Sequence, residues 1–361
     1  MGSLRDEVRR RLGVPLLRAT TLPARWYSDA EHHREEVDAV FKHGWSCVGT
    51  TDSVAAPGTF TTALAGGELP VLVTRDAKGA LHGFLNVCRH RAAPVAEGSG
   101  QVRVLQCPYH WWIYHLDGRL SKARGMAGVP GFDAADSGLF PVQVATWSRF
   151  LFVNPDLEAE PLAVGPLAAA IDPFGIEGME PGVTEHVIGP FNWKLLVENY
   201  SENFHTPFVH PQLGGAAWDY LIETDGPVVR ATDRVKPGME HVASPQADEP
   251  FLSGMYFTVF PNLMVSVFER YFHALVVTPV DARSSRVDYH RYWSPDVGEA
   301  RRKIDHEAAL AVGEQDLDIC ERVQHSYDGG LDPRGHLSPE HEKGVAHVHQ
   351  LLLRALADSV W

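Results

Sequence analysis

Two short cysteine–histidine pairs constrain this chain of 361 residues more than any other feature. They are Cys88-Arg89-His90 and Cys107-Pro108-Tyr109-His110, separated by 16 residues. That interval lets each pair occupy its own loop and offer one thiolate and one imidazole to a shared centre. Two thiolates and two imidazoles suit a tetrahedral zinc or a two-iron, two-sulfur cluster. Zinc ribbons and knuckles pair like ligands, cysteine with cysteine and histidine with histidine. This chain pairs unlike ones, which favours a cluster with both histidines on one iron and both cysteines on the other. Imidazoles in place of thiolates remove negative charge, raise the potential and suit the cluster to passing single electrons.

Composition narrows the classes further. With 44% apolar and 22% charged residues, the chain reads as globular and long enough for two domains. Two of the four cysteines are claimed by the cluster, leaving Cys47 and Cys320. A disulfide framework is therefore not expected, and a reducing cytoplasm is the natural compartment. The first residues carry Arg5, Asp6, Glu7, Arg9, Arg10 and Arg11 without the apolar segment of a signal peptide. Asp6 also breaks the myristoylation pattern that Gly2 would begin. No run is apolar for long enough to span a bilayer, so no membrane role is expected. A net charge of −14 disfavours nucleic acid as a partner. Near the cluster pairs the trend reverses, with Arg89, Arg91, Arg103, Arg119, Lys122 and Arg124. These residues form either an ordinary solvated surface or a docking patch for an acidic electron donor.

Residues 40–158 read as an all-β module, with hairpin signals at Asp76-Ala77-Lys78-Gly79 and Asp117-Gly118. Strands over 84–87 and 102–106 lead into the two metal pairs. A Pro- and Ala-rich stretch over 154–173 marks a boundary. Residues 1–39 and 159–361 then form a second domain mixing helix and strand. The patterns predict helices over 192–206, 299–324 and 339–356, and strands over 257–264 and 271–279.

The segment 192–210 holds a second candidate metal site. On one helix Trp193, Leu196, Val197, Tyr200 and Phe204 share an apolar face. Glu198, Glu202 and His205, at i, i+4 and i+7, share the opposite one. Pro207 ends the helix and His210 lies on the turn beyond, which could bring two imidazoles together. On the helix over 299–324, Ala309, Val312, Asp316, Ile319, Cys320 and Val323 form one stripe. A carboxylate there is costly to bury unless it is paired or bound to a metal. Two histidines and one carboxylate make the facial triad of non-haem Fe(II) oxygenases. His205, His210 and Asp316 are thus candidate ligands, against the alternative of plain amphipathic helices. Glu314 and Asp318 point off the stripe.

Together these residues resemble the catalytic α subunits of Rieske non-haem iron oxygenases over nearly the whole chain. The likeness runs through Leu22-Pro-Ala-Arg-Trp-Tyr27, Phe41 to Trp45, Asn86-Val-Cys-Arg-His-Arg91 and Gln106-Cys-Pro-Tyr-His110. It continues in Asn192-Trp-Lys194, Glu198 to His210, and Asp316-Leu-Asp-Ile-Cys-Glu-Arg-Val-Gln324. The resemblance implies an α+β chain. Its parts are a β-rich Rieske [2Fe-2S] domain and a helix-grip (START-like) catalytic domain, with a curved antiparallel sheet around a long helix. It implies a Rieske cluster on Cys88, His90, Cys107 and His110, mononuclear Fe(II), O2 as co-substrate, and a separate NAD(P)H-dependent reductase or ferredoxin. It also implies a homotrimer in which Glu202 joins ligand histidines of neighbouring subunits. Asn199 would line the iron pocket and Glu198 would anchor the helix.

A glutamate at 202 and the segment from Asp316 are similar to the branch acting on choline, glycine betaine, proline betaine and carnitine. The implied activity is hydroxylation or N-demethylation of a small amine or natural-product intermediate. The alternative is an aromatic-ring dioxygenase forming a cis-diol, which the shortness of the chain disfavours. Trp218, Tyr220, Tyr256, Phe257, Phe260 and Tyr271 could cage a quaternary ammonium or simply fill the core. Two positions depart from the family pattern: Trp111 and Ala92 stand where relatives commonly have glycine.

Overall fold

The computed structural model describes residues 4–213, 218–238 and 254–359, and the chain divides into two compact units. Val40–Leu162 forms one; Met1–Ala39 with Ala163–Trp361 forms the other.

The first unit is built on a seven-stranded sheet in the order β1-β10-β9-β4-β3-β2-β5. Its strands are β1 (Ser46–Thr50), β2 (Thr59–Ala65), β3 (Leu69–Arg75), β4 (Leu81–Leu85), β5 (Ser99–Gln101), β9 (Pro141–Trp147) and β10 (Phe150–Asn154). A small three-stranded sheet adds β6 (Leu105–Gln106), β7 (Ile113–Tyr114) and β8 (Leu120–Lys122). Alternation along β3 sends Val71 and Val73 to one apolar cluster and Leu72 to another. The Leu72 cluster also contains Cys88, Cys107, Trp112 and Tyr114. Both cysteines of the metal pairs are thus rooted in a packed core, while the loop tips reach outward.

The second unit has an antiparallel sheet in the order β11-β18-β17-β16-β15-β14-β13, with β12 also paired to β18. These strands are β11 (Glu180–Pro181), β12 (Glu185–Gly189), β13 (Trp218–Asp225), β14 (Val228–Val235), β15 (Met255–Val259), β16 (Leu263–Phe268), β17 (Tyr271–Asp281) and β18 (Ser284–Trp293). The expected α+β class and curved antiparallel sheet are both present. Strand register sets Tyr256, Ser266, His273 and Arg291 side by side across β15 to β18, and Tyr220 opposite Asp233 across β13 and β14. Period-two alternation places these polar residues on one face of the sheet. Among the described residues, no helix is long and apolar enough to cross a membrane.

Several elements differ from the sequence expectations. The strand predicted over 257–264 is a hairpin, because the Pro261-Asn262 turn separates β15 from β16. The helix predicted over 192–206 spans only Trp193–Tyr200. It closes with a tighter last turn, in which Ser201 N bonds Glu198 O and Ser201 Oγ donates to Val197 O at 2.6 Å. Glu202 and His205 therefore do not extend the face of Glu198, and Phe204, 47% exposed, leaves the apolar face to stack on His341. The long helix runs Glu299–Asp328 and the last Lys343–Ser359.

The Trp193–Tyr200 helix is fixed from both ends. Asn192, fully buried, caps it by accepting from Lys194 N and donates its own N–H to Gln324 Oε1. Lys194 and Glu36, each 1% exposed, form a 2.6 Å ion pair. Desolvation pushes both toward their neutral forms, Lys194 down and Glu36 up. Breaking one half would leave a buried charge unanswered. Glu198 accepts from Tyr27 Oη at 2.6 Å and lies 3.0 Å from His349 Nε2, so it ties the helix to two other elements.

Candidate metal centres

The two cysteine–histidine loops close in the same way. Ala92 N bonds Cys88 O at 3.0 Å, and Trp111 N bonds Cys107 O at 3.1 Å. One residue further on, Cys88 N bonds Ala93 O and Cys107 N bonds Trp112 O. Each closing residue must turn left-handed, with φ of 58° at Ala92 and 61° at Trp111. Glycine suits that conformation best, and a side chain there costs on the order of 1 kcal/mol. Here Ala92 and the 59% exposed Trp111 carry that cost with their side chains turned to solvent.

The loops bring their ligand side chains together. His90 and His110 stand with ring centroids 4.6 Å apart, and Trp112 stacks on His90 at 4.9 Å. Burial and the adjacent Cys88 push the Cys107 thiol up, so that thiol ionises readily only against a cation. This donor set fits a two-iron, two-sulfur cluster. The basic residues around it, Arg89, Arg91, Arg103, Lys122 and Arg124, are exposed, and Arg119 pairs with Asp117. Sequence reasoning missed Tyr114, whose buried hydroxyl lies 3.3 Å from Cys88 Sγ and accepts from Arg89 N. A hydrogen bond to a ligand sulfur stabilises the reduced cluster. Tyr114→Phe is expected to lower the cluster potential by about 40 mV, the worth of one ordinary hydrogen bond. Redox titration of the purified protein reads this directly.

In the second unit His205, His210 and Asp316 present ligand atoms that all lie within 4.8 Å of one another. His205 Nε2 is 3.4 Å and His210 Nε2 3.0 Å from Asp316 Oδ1. The opposite ring nitrogens are held by acceptors: His205 Nδ1 by Glu202 Oε1 at 2.5 Å, His210 Nδ1 by Gln315 Oε1 at 2.7 Å. Both rings therefore donate from Nδ1 and turn Nε2 toward the carboxylate, the orientation a metal requires. Pro207 opens a one-turn helix, Thr206–Val209, with His205 at one end and His210 at the other. Glu202 Oε2 accepts from the backbone N–H groups of Phe204 and His205, which locks the turn. Gln315, beside Asp316 in sequence, was not singled out from the sequence. Asn199 is half-buried at the helix end, while Glu314 and Asp318 are exposed.

Electrostatics of the metal-free triad are self-consistent. Burial works to raise Asp316, but His205 and His210 hold it below the usual carboxylate range. Burial works to lower His205, yet the Asp316 and Glu202 carboxylates win and raise it to about 9. His205 thus stabilises the metal-free fold fully below its unfolded value, and this contribution is lost as pH rises through about 9. A metal must displace that proton. Its affinity should therefore rise about tenfold per pH unit between the ordinary histidine range and pH 9. Titration of metal-depleted protein with Fe(II) at several pH values checks the slope.

Comparison with known proteins finds two domains of one family. A Rieske [2Fe-2S] domain model matches residues 44–133. A model of the ring hydroxylating alpha subunit, catalytic domain, matches residues 176–358. The chain belongs to the ring-hydroxylating α-subunit family. This Rieske oxygenase α subunit is an oxidoreductase whose cofactors are a Rieske cluster and a mononuclear iron. It is 28% identical over 358 residues to the chloroplastic choline monooxygenase of Arabidopsis thaliana, covering 94% of this chain and 83% of that one. It is 36% identical over 217 residues to the oxygenase subunit of glycine betaine monooxygenase from Chromohalobacter salexigens, covering 59% of this chain and 47% of that one. The fold of this α subunit is similar to that of a quaternary ammonium Rieske monooxygenase from work on carnitine oxidation by gut microbiota. The TM-score is 0.83 at 24% identity, covering 94% and 96% of the two chains.

Proposed function

We propose that this chain is a monooxygenase that hydroxylates or N-demethylates a small amine, with His205, His210 and Asp316 holding the iron. Cys88, His90, Cys107 and His110 hold the cluster. The observation that carries the reading is the shared aim of two Nε2 atoms and Oδ1, with both Nδ1 atoms already engaged. When bound, the iron supplies the open coordination positions at which O2 is activated with electrons from the cluster. Overall, C–H, O2, two electrons and two protons give C–OH and water. On an N-methyl group the resulting carbinolamine releases formaldehyde. The chain's own residues hold the His205 and His210 rings, and the buried sheet face orients the substrate. A separate NAD(P)H-dependent reductase or ferredoxin supplies the electrons.

The relatives at 28% and 36% identity, on choline and glycine betaine by name, support an amine over an arene. The structural relative's description speaks of inter-subunit electron transfer. By the same logic we assign this chain to a homotrimer, with Glu202 joining His205 to His110 of the partner subunit. Asn199 lines the iron pocket, and two cysteines free of any disulfide suit the cytoplasm. The test is a single turnover: protein reduced anaerobically, then mixed with O2 and a panel of betaines, tertiary amines and simple arenes. A hydroxylated amine or formaldehyde is the expected product. A cis-diol from an arene, with nothing from the amines, would replace this reading by ring dioxygenation.

A further inference from the structure

Among the described residues, no lysine or arginine answers one carboxylate on the polar face of the second unit. Asp233 on β14 is 6% exposed and faces Tyr220 directly across β13. Asn203 Nδ2 donates to its Oδ1 at 3.1 Å, and the Tyr256 hydroxyl donates to the same carboxyl group. Neither partner carries charge. Among the described residues, no ion pair joins Asp233 to a lysine or arginine. Its neighbours in sequence turn elsewhere: Arg234 is exposed and Lys236 lies 3.8 Å from Asp219. Desolvation accordingly lifts the Asp233 carboxyl to about 7. Beside it the Tyr220 hydroxyl is buried with no hydrogen-bond partner among the described residues.

A buried acid and an orphaned phenol at one spot are costly to the fold. Threonine or valine would fill the same strand positions without that cost. The arrangement becomes favourable once a cation is supplied from outside. The surroundings suit one with alkyl groups: Tyr200 packs edge-on to Tyr256 at 6.4 Å, and Phe268 does so at 6.0 Å. Aromatic faces and a carboxylate together attract an ammonium more strongly than either does alone. The place is also right. Asn203 directly follows Glu202, which holds His205, and Tyr200 feels both Asp233 and Asp316.

We propose that Asp233, with the Tyr220 and Tyr256 rings, is the counter-ion subsite that selects a cationic alkylammonium substrate. This deepens the amine reading and rests on it. The probes are choline and its uncharged isostere 3,3-dimethylbutan-1-ol, with binding measured by calorimetry on the iron-loaded holoenzyme. Wild type is expected to prefer choline. Asp233→Asn keeps the shape and both hydrogen-bond partners, and is expected to weaken choline about ten- to a hundredfold. The neutral isostere should bind within about twofold of wild type, the span left by an uncharged exchange. Tyr220→Leu removes the aromatic face, and is expected to cost choline about three- to tenfold while the neutral isostere loses less. If Asp233→Asn fails to fold, the Tyr220→Leu result decides alone. Equal losses for both probes would make Asp233 a structural support of the Glu202 turn and overturn the proposal. Unchanged choline binding in both variants would overturn it while leaving the amine reading intact. Preference of wild type for the neutral isostere, or for indole, would remove the amine reading and this subsite with it.

Discussion

Asp316→Ala is expected to reduce turnover by about a thousandfold or more while the cluster persists. The carboxylate lies between His205 Nε2 and His210 Nε2, at 3.4 and 3.0 Å, and is the only anion of the three ligand groups. Its removal leaves two neutral imidazoles, too weak a set to retain a divalent iron against buffer. Iron content should fall from about three to about two per chain, the cluster's share. The visible spectrum of the oxidised cluster should not change, because Asp316 and the cluster pairs belong to different structural units. A variant that keeps about three irons or appreciable turnover would place the mononuclear iron elsewhere.

Glu202→Gln should give the second-largest loss, about a hundredfold in turnover, with both metals retained. Glutamine keeps an amide oxygen where Oε1 accepts from His205 Nδ1, so the ring stays oriented. It loses the negative charge and puts an amide NH2 where Oε2 accepts from the N–H groups of Phe204 and His205. Rapid mixing of the reduced variant with O2 and substrate should show cluster reoxidation slowed to match turnover. Reoxidation at the wild-type rate would reduce Glu202 to a positioning residue for His205. The locked turn, with Glu202 Oε2 on the N–H groups of Phe204 and His205, would then be its whole role.

Both candidate ligand sets could be proposed from the sequence, for different reasons. The cysteine–histidine pairs are local, so spacing alone limits their chemistry. His205 and His210 could be paired because Pro207 forces a turn, and Asp316 because a carboxylate breaks an apolar helical stripe. The helix end at Tyr200 was not legible. Ser201 closes it by bonding Val197 O, and a serine in that place carries no strong stop signal. The left-handed turns at Ala92 and Trp111 appeared in sequence only as departures from a glycine pattern. Their cause is the backbone closure onto Cys88 O and Cys107 O. The polar row of Tyr220, Asp233, Tyr256, Ser266, His273 and Arg291 was largely hidden. Its members come from six strands; register pairs Tyr220 with Asp233 and aligns Tyr256 through Arg291, and Asp233 meets Tyr256 on the diagonal. His273 illustrates the point: lone in sequence, it is half-buried near Arg291, and desolvation and that guanidinium lower it to about 3, hence neutral.

The most direct test of the account is a single turnover under 18O2 with a small quaternary or tertiary amine that the α subunit accepts. Product is trapped by reduction before it can exchange with water. The account predicts one labelled oxygen atom per organic product, with the other released as water. Two labelled atoms in the product would contradict monooxygenation, and an unlabelled product would contradict oxygen transfer from O2 altogether.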